Sequence, residues 1–148
     1  MDIPPVEDPL LHFLASCIQR HGNRKRATRT VARTLLWLHT FTRGPPLEML
    51  REGILMAAPA VRCTHQVLGG HKVVPKPIAL SEKQRTRQAI QWILKASDNR
   101  SGQTLEERLA REIVSILQGD VEKNAVLLKK KQAHEYAMVN RGSAEARV

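Results

Sequence analysis

Apolar residues recur with helical spacing at both ends of the chain and give way, in the middle, to short β-branched runs. Leu10, Phe13, Leu14, Cys17 and Ile18 stand at i, i+3, i+4, i+7 and i+8, the one-sided stripe of an amphipathic helix. Asp8-Pro9 ahead of it combines an N-cap with a proline at the first helical position, and Gly22 supplies a stop. A second helix is predicted from about Arg26 to Phe41, burying Val31, Leu35 and Leu38 and ending at Gly44-Pro45-Pro46. The third, around Leu47 to Ala57, buries Leu47, Leu50 and Ile54 before Pro59.

The period then changes. Ala60 to Leu68 and Lys72 to Ile78 flank Leu68-Gly69-Gly70-His71, the signature of a hairpin turn. Pro75 and Pro77 are costly in a central strand, so this segment, 60–78, is predicted to be a two-stranded arm with free edges. Helical signals resume at Ser81, whose spacing to Gln84 resembles a capping box, and run through Ala89, Ile93 and Ala96. Thr104 with Glu107 is a stronger box, opening a helix that buries Leu105, Leu109, Ile113, Ile116 and Leu117 and stops at Gly119. The closing helix is predicted to start near Val121 and has the thinnest apolar stripe in the chain. The expectation is a mainly α, single six-helix bundle-like domain over 1–148, with an extended β-hairpin between the third and fourth helices. Residues 1–7 read as a flexible extension and 142–148 as a tail.

Length and charge narrow the function. A chain of 148 residues, 42% of them hydrophobic, makes about one domain with a real core. Its apolar runs fall far short of the roughly 20 residues of a membrane-spanning helix, so no membrane partner is expected. Two cysteines, Cys17 and Cys63, do not define a disulfide framework and suit a reducing compartment. The opening MDIPPVEDP is acidic and lacks arginine, unlike a basic transit peptide, so either none is needed or the numbering begins after one. Lysine and arginine number 24 against 14 acids, a net charge of +10 that draws polyanions. With only 3% aromatic residues the chain lacks a stacking platform, which favours backbone and shape recognition over base reading.

The cations come in three groups. Arg20, Arg24, Lys25, Arg26, Arg29 and Arg33 lie in a stretch without an acid, and Arg26, Arg29 and Arg33 fall at i, i+3, i+7, a face able to follow successive phosphates. Like charges so spaced repel unless a polyanion offsets them. Lys72, Lys76, Lys83, Arg85 and Arg87 run from the hairpin into the fourth helix. Lys129, Lys130 and Lys131 lead into His134, Asn140 and Arg141, with Lys130, His134, Ala137 and Arg141 at i, i+4, i+7, i+11 on one face. Cys63, His65 and His71 are the best trio for a metal, but no Cys-x-x-Cys or His-x-x-x-His spacing supports them, so neither metal nor cofactor is expected. No carboxylate or nucleophile is placed to work with His134, and no glycine loop cradles phosphate, so neither catalysis nor a small-molecule substrate is expected.

Several of these segments, in order, resemble the small-subunit ribosomal protein seven family. Asp8-Pro9-Leu10-Leu11 with Arg20-His21-Gly22-Asn23-Arg24-Lys25 is similar to its first helix and basic loop; Pro46-Leu47-Glu48 and Pro59-Ala60-Val61 to its third helix and the start of the hairpin. Val67-Leu68-Gly69-Gly70 with Val74-Pro75 resembles its turn and returning strand. Ala89 to Ile93, Ser101 to Thr104 with Arg108-Leu109-Ala110, and the His134, Ala137, Asn140-Arg141 pattern resemble the last three helices. The chain departs from bacterial members in its acidic start, in Gln66 and Val67 where paired arginines usually precede the hairpin glycines, and in a Gly142 to Arg147 tail without aromatic residues. Val74 to Ile78 with Ser81-Glu82-Lys83 looks more like mitochondrial members.

The resemblance implies a structural protein that binds the 3′ domain of small-subunit rRNA, organises head assembly, and lies near the exit-site tRNA and mRNA path beside neighbouring ribosomal proteins. It assigns rRNA contact to Arg24, Lys25, Lys130, His134, Asn140 and Arg141; Arg26, Arg29 and Arg33 rest on spacing alone. A mitochondrial ribosome is the expected location, a bacterial or plastid ribosome the alternative. The competing class is a helix-turn-helix DNA-binding regulator, since short basic helices around a glycine turn can imitate one.

Overall fold

The computed structural model describes residues 8–143. Helices α1 (Pro9–Ile18), α2 (Arg24–Thr42) and α3 (Pro46–Ala57) are followed by an antiparallel pair, β1 (Val61–Leu68) and β2 (Lys72–Ala79). Then come α4 (Glu82–Ser97), α5 (Leu105–Leu117), α6 (Ala125–Val139) and a short 3₁₀ turn at Arg141–Ser143. The mainly α architecture with a hairpin between the third and fourth helices is as expected. The proposed N-terminal extension, 1–7, and most of the tail, 144–148, lie outside the described residues.

Local chemistry sets most boundaries. Asp8 accepts from the backbone N–H groups of Leu10 (2.9 Å) and Leu11 (3.4 Å), and Pro9 opens α1. Two helices start elsewhere than expected. Asn23 accepts from Arg26 N–H at 3.1 Å, so α2 begins at Arg24, a little earlier than predicted. The closing helix begins at Ala125, well after Val121, because Asp120 ties the N–H groups of Glu122 and Lys123 into a turn and Asn124 is the true cap. At the hairpin tip Gly70 and His71 both adopt positive φ, which closes a three-residue loop.

The core gathers around α5. Leu109, Ile113 and Ile116 on that helix meet Leu38 and Leu35 of α2, Leu50 and Ile54 of α3, and Ile90 and Ile93 of α4. Gly53 is buried here, and the close packing suits glycine because a Cβ would stand 3.0 Å from Ile113 Cγ2. In α1 the fully buried positions are Leu11, Leu14 and Ala15, so its inner face is rotated slightly from the expected stripe, and Cys17 sits at its margin. Trp37 and Trp92 pack at the edge of the core.

Among the described residues one charged side chain lies within this apolar mass. Glu112 is 1% exposed; it accepts from Arg100 Nε at 2.6 Å and from Asn124 Nδ2 at 3.0 Å. Asn124, equally buried, also caps α6 by accepting from Val126 and Leu127 N–H at 2.9 and 3.2 Å. Ser115 joins both, taking hydrogen bonds from Arg100 and Asn124. Asn124→Ala should therefore destabilise the protein by about 2–3 kcal/mol, since it removes a cap and strands part of a buried carboxylate. Urea unfolding checks this; a loss under about 0.5 kcal/mol would mean water replaces the amide without cost.

Candidate nucleic-acid interface

The first basic group divides into cations used by the fold and cations left on its surface. Arg24 reaches back to α1, donating to Ser16 Oγ at 2.7 Å and to His12 C=O at 3.2 Å, with His12 Nδ1 at 2.8 Å. Arg33 faces Glu106 at 3.8 Å. Arg20, Lys25, Arg26 and Arg29 are exposed, with no ion pair among the described residues. Arg24, Lys25 and Arg26 fill the first turn of α2, which holds no acid. That is the positive end of the helix dipole, where each cation costs about 0.3–1 kcal/mol at the surface and an anion is favoured.

The second group lies on both sides of α4. Burial pushes the Cys17 thiol of α1 up in pKa, and the Arg87 charge on α4 draws it partway back. Arg85 turns the other way and donates from Nε to Pro59 C=O at 3.2 Å. Lys83 is exposed near the start of α4.

Register sorts the arm into two unlike faces. The pairs Val61↔Ala79, Cys63↔Pro77, His65↔Pro75 and Val67↔Val73 share one side, which carries no lysine, arginine or acid. Arg62↔Ile78, Thr64↔Lys76, Gln66↔Val74 and Leu68↔Lys72 share the other, with three cations along it. Arg62, which charge clustering overlooked, joins Lys72 and Lys76 through this alternation; a strict period-2 reading would have found it. Toward the tip Val67 and Val73 are well exposed. Cys63 and His65 lie on the uncharged side, and no three metal-ligating side chains converge among the described residues.

The third group is arranged differently from its expected phosphate-facing stripe. Lys130, His134 and Ala137 do share a face of α6, but that face turns inward: Ala137 is buried and Lys130 Nζ donates to Met56 C=O at 2.8 Å. His134 Nε2 accepts from Ala60 N–H at 2.9 Å. Burial, then the Arg85 charge, lowers the Lys130 pKa. Lys129 is exposed, Lys131 stands 3.9 Å from Glu135, and Arg141 is exposed beside Met138. Asn140 donates to Tyr136 C=O at 2.8 Å.

These features define a basic helical scaffold with a projecting two-stranded arm. The sequence family described as ribosomal protein S7p/S5e matches residues 2–141, and the chain belongs to that family. It is also 31% identical over 149 residues to the small ribosomal subunit protein uS7m of Schizosaccharomyces pombe, an alignment covering 100% of this chain and 56% of that protein. The chain thus spans little more than half the length of this relative.

Arg24 and Arg29 provide a direct contrast. Arg24→Gln should lower stability by about 1 kcal/mol because it unties α1 from α2, whereas Arg29→Gln should stay within about 0.5 kcal/mol of the parent. Equal losses in urea unfolding would show that both cations serve the fold alike.

Proposed function

We propose that this chain is a structural, non-catalytic constituent of the small subunit of a mitochondrial ribosome, holding small-subunit rRNA by its backbone beside neighbouring ribosomal proteins. Its family and its uS7m relative support that reading. The observation that carries it is the first turn of α2, where cations crowd the positive end of a helix dipole with no acid to offset them. Phosphate is the ligand that relieves this arrangement, by neutralisation and counterion release. The surface for the rRNA 3′ domain is Arg20, Lys25, Arg26, Arg29 and Lys83, with Lys129 and Arg141 at the far end. The cationic side of the arm extends it toward the exit-site tRNA and mRNA path.

A helix-turn-helix DNA regulator is the poorer fit. Although α2 starts with cations after a glycine turn, its inner face packs into the core of the bundle, and the other two basic groups lie on α4, the arm and α6. Base readout would need its specifying side chains gathered at one groove.

Two outcomes follow. Replacing Lys25, Arg26 and Arg29 together by glutamine should leave helix content unchanged and abolish incorporation into small subunits, read by gradient sedimentation; normal incorporation would make this face ordinary solvated surface. On an rRNA 3′-domain fragment, Arg62→Gln with Lys72→Gln should flatten the log-affinity against log-salt slope by about 2, roughly one for each phosphate no longer neutralised. An unchanged slope would place the arm's cations away from RNA.

A further inference from the structure

The inward face of α6 closes on the segment that joins α3 to the arm. Lys130 Nζ holds Met56 C=O at 2.8 Å, Arg85 Nε holds Pro59 C=O at 3.2 Å, and Ala60 N–H donates to His134 Nε2 at 2.9 Å. Two of these contacts answer a general need: the last carbonyls of a helix, and those of the chain leaving it, lack helical partners, and long cationic side chains satisfy them. Ala60 is engaged twice, since its C=O accepts from Leu80 N–H at 3.0 Å and so closes the root of the hairpin. Beyond that root the arm is a two-stranded sheet, with β1 beside α6 and β2 beside the 3₁₀ turn at Arg141–Ser143, so the root and this flank together set its orientation.

We propose that Arg85, Lys130 and His134 are positioning residues for the arm, clamping its root to the bundle, and that His134 acts as a neutral imidazole whose protonation loosens that root. The donor in this bond is a backbone amide, so His134 Nε2 must offer a lone pair and the ring proton must sit on Nδ1; an imidazolium has no acceptor left. Burial, followed by the charges of Lys130 on its own helix and Arg85 on α4, holds the His134 pKa below the ordinary histidine value. From α3 and the start of β1 the clamp meets backbone groups, and Arg62, the first charge along β1, is exposed. No acid is paired with the ring among the described residues. A ring that takes up its proton less readily folded than unfolded stabilises the clamp above the unfolded pKa of about 6.5. That stability is lost as pH falls below this value toward and through the lower folded one. The consequence for RNA rests on the function proposed for the arm; the clamp itself does not.

The test uses the full chain without RNA. Nitrogen-15 NMR of the ring should show Nδ1 protonated and Nε2 accepting at neutral pH, with a titration midpoint below that of a free histidine. The protection factor of the Ala60 amide, its exchange corrected for the intrinsic pH dependence, should fall as the ring charges. His134→Leu should raise exchange at Ala60 and along β1 by roughly five- to tenfold while the α5 amides keep their protection. His134→Gln, whose side-chain oxygen can accept the same bond, should restore most of the protection at Ala60. A ring already charged at neutral pH, or exchange at Ala60 that is unmoved by His134→Leu, would overturn the clamp. Failure of the parent protein to bind rRNA would instead overturn the proposed function and leave these ring and exchange results intact.

Discussion

Glu112 carries a carboxylate into the buried side of α5, and the elements around it are arranged to satisfy that charge. Burying an ionised group without partners costs several kcal/mol, so Arg100, Asn124 and Ser115 must all be within reach. Meeting this condition fixes two connections at once. Arg100 holds the segment between α4 and α5 against α5, and Asn124 fixes the point at which α6 starts. From that origin a helix rises about 1.5 Å per residue, which carries Lys130 about 9 Å and His134 about 15 Å along α6, to the end of α3 and the root of the arm. The position of the arm is therefore linked, through one helix, to a carboxylate in the core.

Cations in this protein serve two purposes, and burial separates them. Arg24, Arg85 and Lys130 are half-buried and give their donors to side chains or carbonyls at junctions between elements. Lys25, Arg26 and Arg29 project from α2 into solvent. The first set offsets the loose ends of helices. The second set weakens the helix it stands on, because like charges on adjacent turns repel and the dipole opposes them. A protein keeps such an arrangement at little cost when a polyanion lies against it, as RNA would.

The arm adds a second division. Strand alternation sends Arg62, Lys76 and Lys72 to one side and Cys63, His65 and Val67 to the other, so only one face favours phosphate. The two prolines of β2 belong to the uncharged face and pair with Cys63 and His65 without needing a free N–H there. A rigid root matters for such a lever, since a small rotation at Ala60 would turn the cationic face away from whatever it meets.

Periodicity together with cap, glycine and proline signals determined the number and order of the helices, the hairpin and its turn, because the stripes through Leu35-Leu38, Leu50-Ile54 and Leu109-Ile113-Ile116 admit one inner face each. Charge along the chain located the three basic groups, and motif order indicated the family. What it could not separate was which cations face outward. The spacing of Lys130, His134 and Ala137 places them on one face, but whether that face meets phosphate or the backbone of Met56 and Ala60 depends on atoms some seventy residues distant. Glu112 likewise reads as an ordinary helical acid until Arg100 and Asn124 close around it, and α6 starts at Ala125 because the Asp120 turn is followed by the Asn124 cap, whose amide Glu112 and Ser115 hold in place. Local spacing fixes the direction in which a side chain leaves its own element; tertiary packing decides what it meets.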